Sequence, residues 1–468
     1  MARWWIGPAM AGCLGVGAAI GAGAVAWSAN DVPAASESQS SPSDIFRQLE
    51  TFADVLARVQ TDYVTETKDS ELIDNAINGM LSSLDPHSSY MNADAFRDMQ
   101  VQTKGEYGGL GIEVTMTDGV LTVVSPIDDT PASRAGVLSG DRLTAIDGTP
   151  LIGLSLSDAV KKMRGAVGSP ITITIAREGK EPFPLTLTRE VITVRTVSHK
   201  VKDDFGYIRI TTFINENTAA DTQKAVQAIQ RELGGRLKGI VLDLRNNPGG
   251  LLDQSIEVTS LFLDGGEVVS TRGRRPEDIQ RYNARTGVAL KNVPLVVLVN
   301  QGSASAAEIV AGAIKDRQRG LIIGMDTFGK GSVQTVIPLN GGREGGLRLT
   351  TAKYYTPSGR SIQGSGIEPD VEVAAVRVTE EDVKRAQDAF RGEEDLPHAL
   401  GNDNGAKRRE AHLPMDMPPV GWKETEDYQL KRAYEILRDG PPKTAIVQTP
   451  PPIATKQAVA KTDPKATP

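Results

Sequence analysis

Between residues 195 and 375 the chain alternates apolar runs with amphipathic stretches, and this pattern constrains the fold more than any other. FGYIRITTF, GIVLDLR and PLVVLV are apolar and rich in β-branched residues, as strands are, and LIIG at 321–324 is a shorter run of the same kind. Residues 219–233, 251–263 and 306–315 have the composition and spacing of helices. Strand and helix in turn predict an α/β domain with a largely parallel sheet. In such sheets the chemistry collects beyond the carboxyl ends of the strands. Those ends carry RNNPGG at 245–250, NQGSAS at 300–305, and the loop from Gly324 onward.

The second of these ends raises the question of what a serine does there. SAAE at 305–308 has capping-box spacing, so Ser305 can be read as a helix cap. It can equally be a nucleophile, since the Ala306 N–H at a helix start is placed to meet an oxyanion. A second donor would come from the NPGG turn, where Gly249 and Gly250 let the backbone approach a substrate closely. The chain has only four histidines, none near Ser305, so the base must come from elsewhere. Lys330 lies between two glycines at the end of an apolar run, and desolvation lowers a lysine pKa enough for it to act as a base. Gln334 shares its face if the chain there is extended, so its amide oxygen would orient the amine. The same loop, GMDTFGK, fits the first seven positions of a phosphate-binding loop. The position that should hold magnesium through Ser or Thr is Gly331, which argues against a nucleotide hydrolase.

Residues 101–190 have a different texture, with short β-branched runs punctuated by Gly and Asp. YGGLGIEV, GVLTVVSPI, DRLTAIDG and PITITIARE read as strands and residues 157–164 as a short helix. The turn Gly109, Leu110, Gly111, Ile112 leaves backbone N–H groups to hold a carboxylate while an extended peptide pairs with the strand edge. With SPIDDTPASRAGVLSGDRLTAIDG and LSDAVKKMRG, this part resembles a PDZ domain.

The flanks are simpler. Residues 1–29 hold no charge between Arg3 and Asp31 and read as a signal peptide or a membrane anchor, so the body of the protein is expected to be exported, to the periplasm or cell envelope. Residues 30–43 read as a linker, and 44–100 as a helical region. Ile45, Leu49, Phe52, Leu56, Val59 and Tyr63 recur there at helical spacing, as a packed face or a dimer seam. Residues 379–440 read as a C-terminal helical region and 441–468 as a Pro-rich disordered tail. A net charge of −7 on 468 residues and the lack of a basic stripe leave no case for a nucleic-acid partner. One cysteine, Cys13, excludes a disulfide framework.

GSASAAE, then TFGKGSVQ, with LDLRNNPGGLL and LSSLDPHSSYM before them and YYTPSGRSIQGSGIEPD after, resemble the C-terminal processing peptidases, or tail-specific proteases, over residues 44–375. The resemblance implies a serine endopeptidase in which Ser305 is the nucleophile, Lys330 the general base and Gln334 the residue orienting the lysine. Ser303 is then a turn residue. It implies that Asp316 supports the site, against a plain charge near a helix end. It also implies that Arg164 relays substrate binding to the catalytic centre, against a surface arginine. Substrates would be polypeptides with free C-termini, among them envelope proteins, with a homo-oligomer, an activating adaptor, and no metal or cofactor. The rival from another class is a silent PDZ scaffold, and intact Ser305, Lys330 and Gln334 argue against it. A small-molecule esterase would share the chemistry but have no use for a carboxylate-binding module.

Overall fold

A computed structural model describes residues 42–440 except 105, 118, 128, 178, 194, 288–289, 291, 388–391 and 424. The expectations for the signal or anchor segment, for the linker up to residue 41 and for the Pro-rich tail lie outside the described residues. The chain divides into two compact units, Met1–Asp69 and Ser70–Pro468. The first contains the helix Pro42–Asp62, on which Ile45, Leu49 and Phe52 are exposed. Among the described residues no helix is long and apolar enough to cross a membrane.

The second unit is built on a six-stranded sheet in the order Val197–Lys202, Phe205–Ile210, Gly239–Asp243, Leu295–Val299, Leu321–Gly324, Val371–Glu372. The first pair is antiparallel and every later pair parallel. Gly239–Asp243 and Leu295–Val299 are buried along their whole length, which is why they read as unbroken apolar runs. Ile240 and Leu242 face a core with the helices Thr218–Leu233 and Ala306–Asp316. Val241, one residue out of phase, faces the opposite core with Ala433 and Ile436 of the helix Tyr428–Asp439. The C-terminal helix therefore closes the second face of the sheet. Arg245 fastens it at the sheet's carboxyl end, donating to Asp243, Asp427 and Gln429 at 2.6 to 3.0 Å.

A second sheet has no counterpart in the sequence reading. Its strands Ser89–Met91, Ser332–Pro338 and Glu267–Arg272 all pair antiparallel with the long strand Gly346–Tyr355, and Ile279–Asn283 pairs with Glu267–Arg272. The region 44–100, expected to be helical, thus contributes a strand to it.

The PDZ-like insertion has its own core around Leu121, Ile173 and Ile175. Its antiparallel sheet runs Ile112–Thr117, Val120–Pro126, Arg142–Ile146, Pro170–Ala176, Phe183–Thr188, with the helix Leu156–Met163. YGGLGIEV is not one strand: Glu106–Gly109 pairs with Glu190–Thr193, where the insertion leaves, and the sheet proper starts at Ile112. The break is Gly111, at φ 75°, where a Cβ would lie 2.3 Å from that of Thr130.

Candidate active site

The loops after Gly239–Asp243 and Leu295–Val299 interlock through paired asparagines. The Asn300 amide donates to Asn246 Oδ1 at 2.9 Å, and the Asn246 N–H donates to Asn300 Oδ1 at 2.8 Å. Ser303 is fully buried and donates to the Leu244 carbonyl at 2.8 Å, so its hydroxyl is spent on holding the loop. Ser305 follows at φ 53° and ψ −114°, a conformation a non-glycine residue keeps only when its surroundings impose it. What imposes it is Glu308. Its carboxylate accepts the Ser305 N–H at 2.8 Å, while the Ser305 hydroxyl makes no capping hydrogen bond.

Glu308 also connects the serine to the lysine. The same Oε2 that holds Ser305 accepts the Lys330 N–H at 2.9 Å, and Oε1 accepts the Gly329 N–H at 2.7 Å and the Thr327 hydroxyl. One buried carboxylate thus gathers residues 25 apart in sequence, and complete burial pushes its pKa up to about 6 against the pull of these donors. The sequence signal is the capping-box spacing of Glu308, which by itself reads as a local cap. The phosphate-loop reading fails on the same hydrogen bonds: the Gly329 and Lys330 amides go to Glu308, and those of Phe328 and Gly331 to Ser303 O and Gln363 Oε1.

Burial lowers the Lys330 pKa, opposed by the charge of Glu393. Its Nζ donates to Gln334 Oε1 as the four-residue spacing suggested, across a bulge between Val333 and Gln334. The Gln334 amide nitrogen donates to Ser332 Oγ at 3.0 Å and Thr350 Oγ1 at 3.2 Å. The loop is tied on its other side as well: Gln363 donates to Glu393 at 3.1 Å, and Glu393 lies 2.8 Å from His87 Nε2.

The two glycines expected at the oxyanion site behave differently. A Cβ on Gly249 would sit 2.8 Å from that of Ser305 and 2.9 Å from the Ala306 nitrogen, so this turn does reach the helix start. Its own N–H donates to Asn247 Oδ1 at 2.9 Å, which leaves Ala306 the better-placed donor. Gly250 instead packs on the Phe213 backbone, 2.2 Å from where its Cβ would be. Gly249→Ala, at φ 95° with no room, is expected to cost about 1–3 kcal/mol of stability and at least about tenfold in kcat/KM. Denaturant titration and steady-state kinetics check this, and wild-type values in both would remove the close approach from the account.

Asp316 and Arg164 make no recorded contact with Ser305 or Lys330. Asp316 accepts the Ser358 N–H at 2.9 Å and so steadies the turn after Gly346–Tyr355. Arg164 is not on the helix but just past its end, extended, with its guanidinium 4.4 Å over the Tyr107 ring. It lines a small cleft with Gly109, Gly111, Ile112 and Val160. Leu110 is buried in the PDZ core, and its carbonyl accepts from Ala132 at 3.0 Å, while that of Gly111 accepts from Ile127 at 2.8 Å. A trans peptide aims N–H opposite to C=O, so the N–H groups of Gly111 and Ile112 point away from those partners.

Comparison with known proteins agrees with this architecture. Residues 204–373 match the model of peptidase family S41, 108–182 that of the PDZ domain, and 14–95 that of the activating protease CtpB N-terminal domain. The carboxy-terminal-processing protease of Bartonella bacilliformis is 50% identical over 84% of this chain and 89% of its own length. A probable CtpA-like serine protease of Staphylococcus haemolyticus is 35% identical over 68% of this chain and 63% of its own length. Among solved structures, the photosystem II D1 C-terminal processing protease is 31% identical, with 75% of this chain and 99% of that one covered at a TM-score of 0.42. The chain belongs to peptidase family S41 and is a C-terminal processing serine protease carrying a PDZ domain.

Proposed function

We propose that Ser305 is the nucleophile, Lys330 the general base, Gln334 the group that orients the lysine, and the Ala306 N–H an oxyanion donor. The observation that carries this reading is the Glu308 carboxylate, which holds the backbone at Ser305 and at Lys330 through one oxygen. Neutral Lys330 takes the Ser305 proton as Oγ attacks the scissile carbonyl. The resulting ammonium then protonates the leaving amine, and water resolves the acyl-enzyme. A substrate enters by its free C-terminus, with the carboxylate on the outward N–H groups of Gly111 and Ile112. The cut falls upstream. Substrates are exported or envelope polypeptides, met by an enzyme delivered across the membrane by residues 1–29. The active form is a homo-oligomer with basal activity of its own, which an adaptor raises.

An unstructured polypeptide ending in small apolar residues, offered as the free acid and as the C-terminal amide, tests this reading. Residues 30–468 are expected to cut the acid at least about tenfold faster, the weight of a charge-assisted hydrogen-bond pair. Equal rates on both, read by mass spectrometry, would remove tail recognition from the proposal.

A further inference from the structure

The phrase LSSLDPHSSYM has no part in the catalytic reading, yet the fold brings its aspartate within one side chain of Gln334. Ser89–Met91 pairs with Gly346–Tyr355 in the register Ser89 to Arg348, and this sets the turn at residues 85–88 against Thr350. Asp85 is 4% exposed, and four donors converge on it: the His87 and Ser88 N–H groups at 2.9 Å each, the Ser88 hydroxyl at 2.6 Å and the Thr350 hydroxyl at 2.9 Å. Hydrogen bonding to these groups outweighs desolvation and holds the carboxyl below its ordinary range, so it is an acceptor only.

We propose that Asp85 is a positioning residue for the Lys330–Gln334 pair and that it acts through the Thr350 hydroxyl. A carboxamide has two nearly isosteric ends, and only its environment decides which one faces Lys330. Thr350 has a single hydroxyl proton. Asp85 takes it, so toward Gln334 the Thr350 oxygen can only accept. The Gln334 NH2 must therefore turn to Thr350 and Ser332, and its oxygen to Lys330. Without Asp85, Thr350 is free to donate, and the flipped amide becomes equally good. A flipped amide donates its N–H to the lone pair of the neutral lysine, the pair that has to take the Ser305 proton. Asp85 thus sets the polarity of a chain that runs from carboxylate to hydroxyl to amide to amine.

This inference rests on Lys330 being the base, and the experiment separates the two. Hydrolysis of the free-acid polypeptide is measured for Asp85→Ala, Thr350→Val, Thr350→Ser, the double variant Asp85→Ala/Thr350→Val, and Lys330→Ala. Asp85→Ala and Thr350→Val are each expected to lower kcat by about tenfold to a hundredfold, the usual cost of losing an orienting partner, with KM unchanged. Thr350→Ser keeps the hydroxyl and is expected to keep kcat, and the double variant should be no slower than the slower single one. The Thr350 pair carries the test alone if Asp85→Ala does not fold. Normal kcat in Thr350→Val, equal losses in Thr350→Val and Thr350→Ser, or multiplicative losses in the double variant would overturn the positioning role. An active Lys330→Ala would instead overturn the catalytic reading on which it stands.

Discussion

Lys330→Ala is expected to abolish cleavage, with kcat falling by about 10⁴-fold or more, and Ser305→Ala is expected to fall as far. The two act as one unit, so the double variant should be no slower than either alone. Binding of a free-acid peptide should survive in all three, because the PDZ cleft has its own core and no recorded contact with Ser305 or Lys330. Lys330→Arg should be equally inactive, since a guanidinium does not give up its proton at any working pH. The pH dependence has a definite sign. A base works when neutral, so kcat/KM rises as Lys330 loses its proton, and burial moves that rise below the ordinary lysine value of 10.5. A limb at 10.5 or above, or Lys330→Ala retaining a tenth of wild-type kcat, would contradict the assignment.

Glu308→Ala carries the largest expected loss of stability. It strips acceptors from the Ser305 and Gly329 amides and the Thr327 hydroxyl, all buried, and from the part-buried Lys330 amide. Each orphaned buried donor costs about 1–3 kcal/mol, and relaxation and water recover part of that, so a net loss of about 3–5 kcal/mol is expected. Activity should vanish even where the variant stays folded, because the Ser305 N–H loses the carboxylate that accepts it at positive φ. Urea unfolding midpoints at constant m-value would show the loss. A midpoint near wild type would mean that the four donors find other partners. In the wild type the Glu308 pKa stands at about 6 folded, against 4.5 for the free group. The native state then binds more protons than the unfolded one between those values, so this group's contribution falls as pH rises through that window.

The parallel sheet and the PDZ insertion were legible because both announce themselves locally, in unbroken apolar runs and in turn glycines. Helix type was legible too, with residues 306–315 observed as Ala306–Asp316 and 219–233 as Thr218–Leu233. The antiparallel sheet was hidden because its pairings are long-range: Ser89 meets Arg348, and no local period records that. Its strand Ser332–Pro338 is largely exposed beyond its first residues, so it carries no core signature. Of residues 379–440, expected to be helical, only Glu380–Gln387 and Tyr428–Asp439 form α-helices among the described residues, and the chain between them at 395–421, of turn and loop composition, is irregular. It is held by side chains reaching the backbone of the lysine loop and its neighbours, as Arg408 does to the Thr327 carbonyl and Asn402 to that of Gln363 at 2.6 Å. Such bonds leave no periodic trace. The contact of Lys330 with Gln334 was legible by their four-residue spacing, and the close approach of Gly249 to Ser305 by its turn. Glu308 was visible only as a cap, because its second task lies 22 residues away in sequence. Arg164 was placed on a helix that ends one residue earlier, a boundary that sequence patterns do not resolve.

The central claim is that Lys330 activates Ser305, and covalent labelling tests it most directly. Wild type, Ser305→Ala and Lys330→Ala are treated with a fluorophosphonate, digested, and the modified residue located by mass spectrometry. The account predicts an adduct on Ser305 in the wild type, none in Ser305→Ala, and labelling slowed at least about a hundredfold in Lys330→Ala. An adduct on Ser303 or another serine, or equal labelling with and without Lys330, would contradict it.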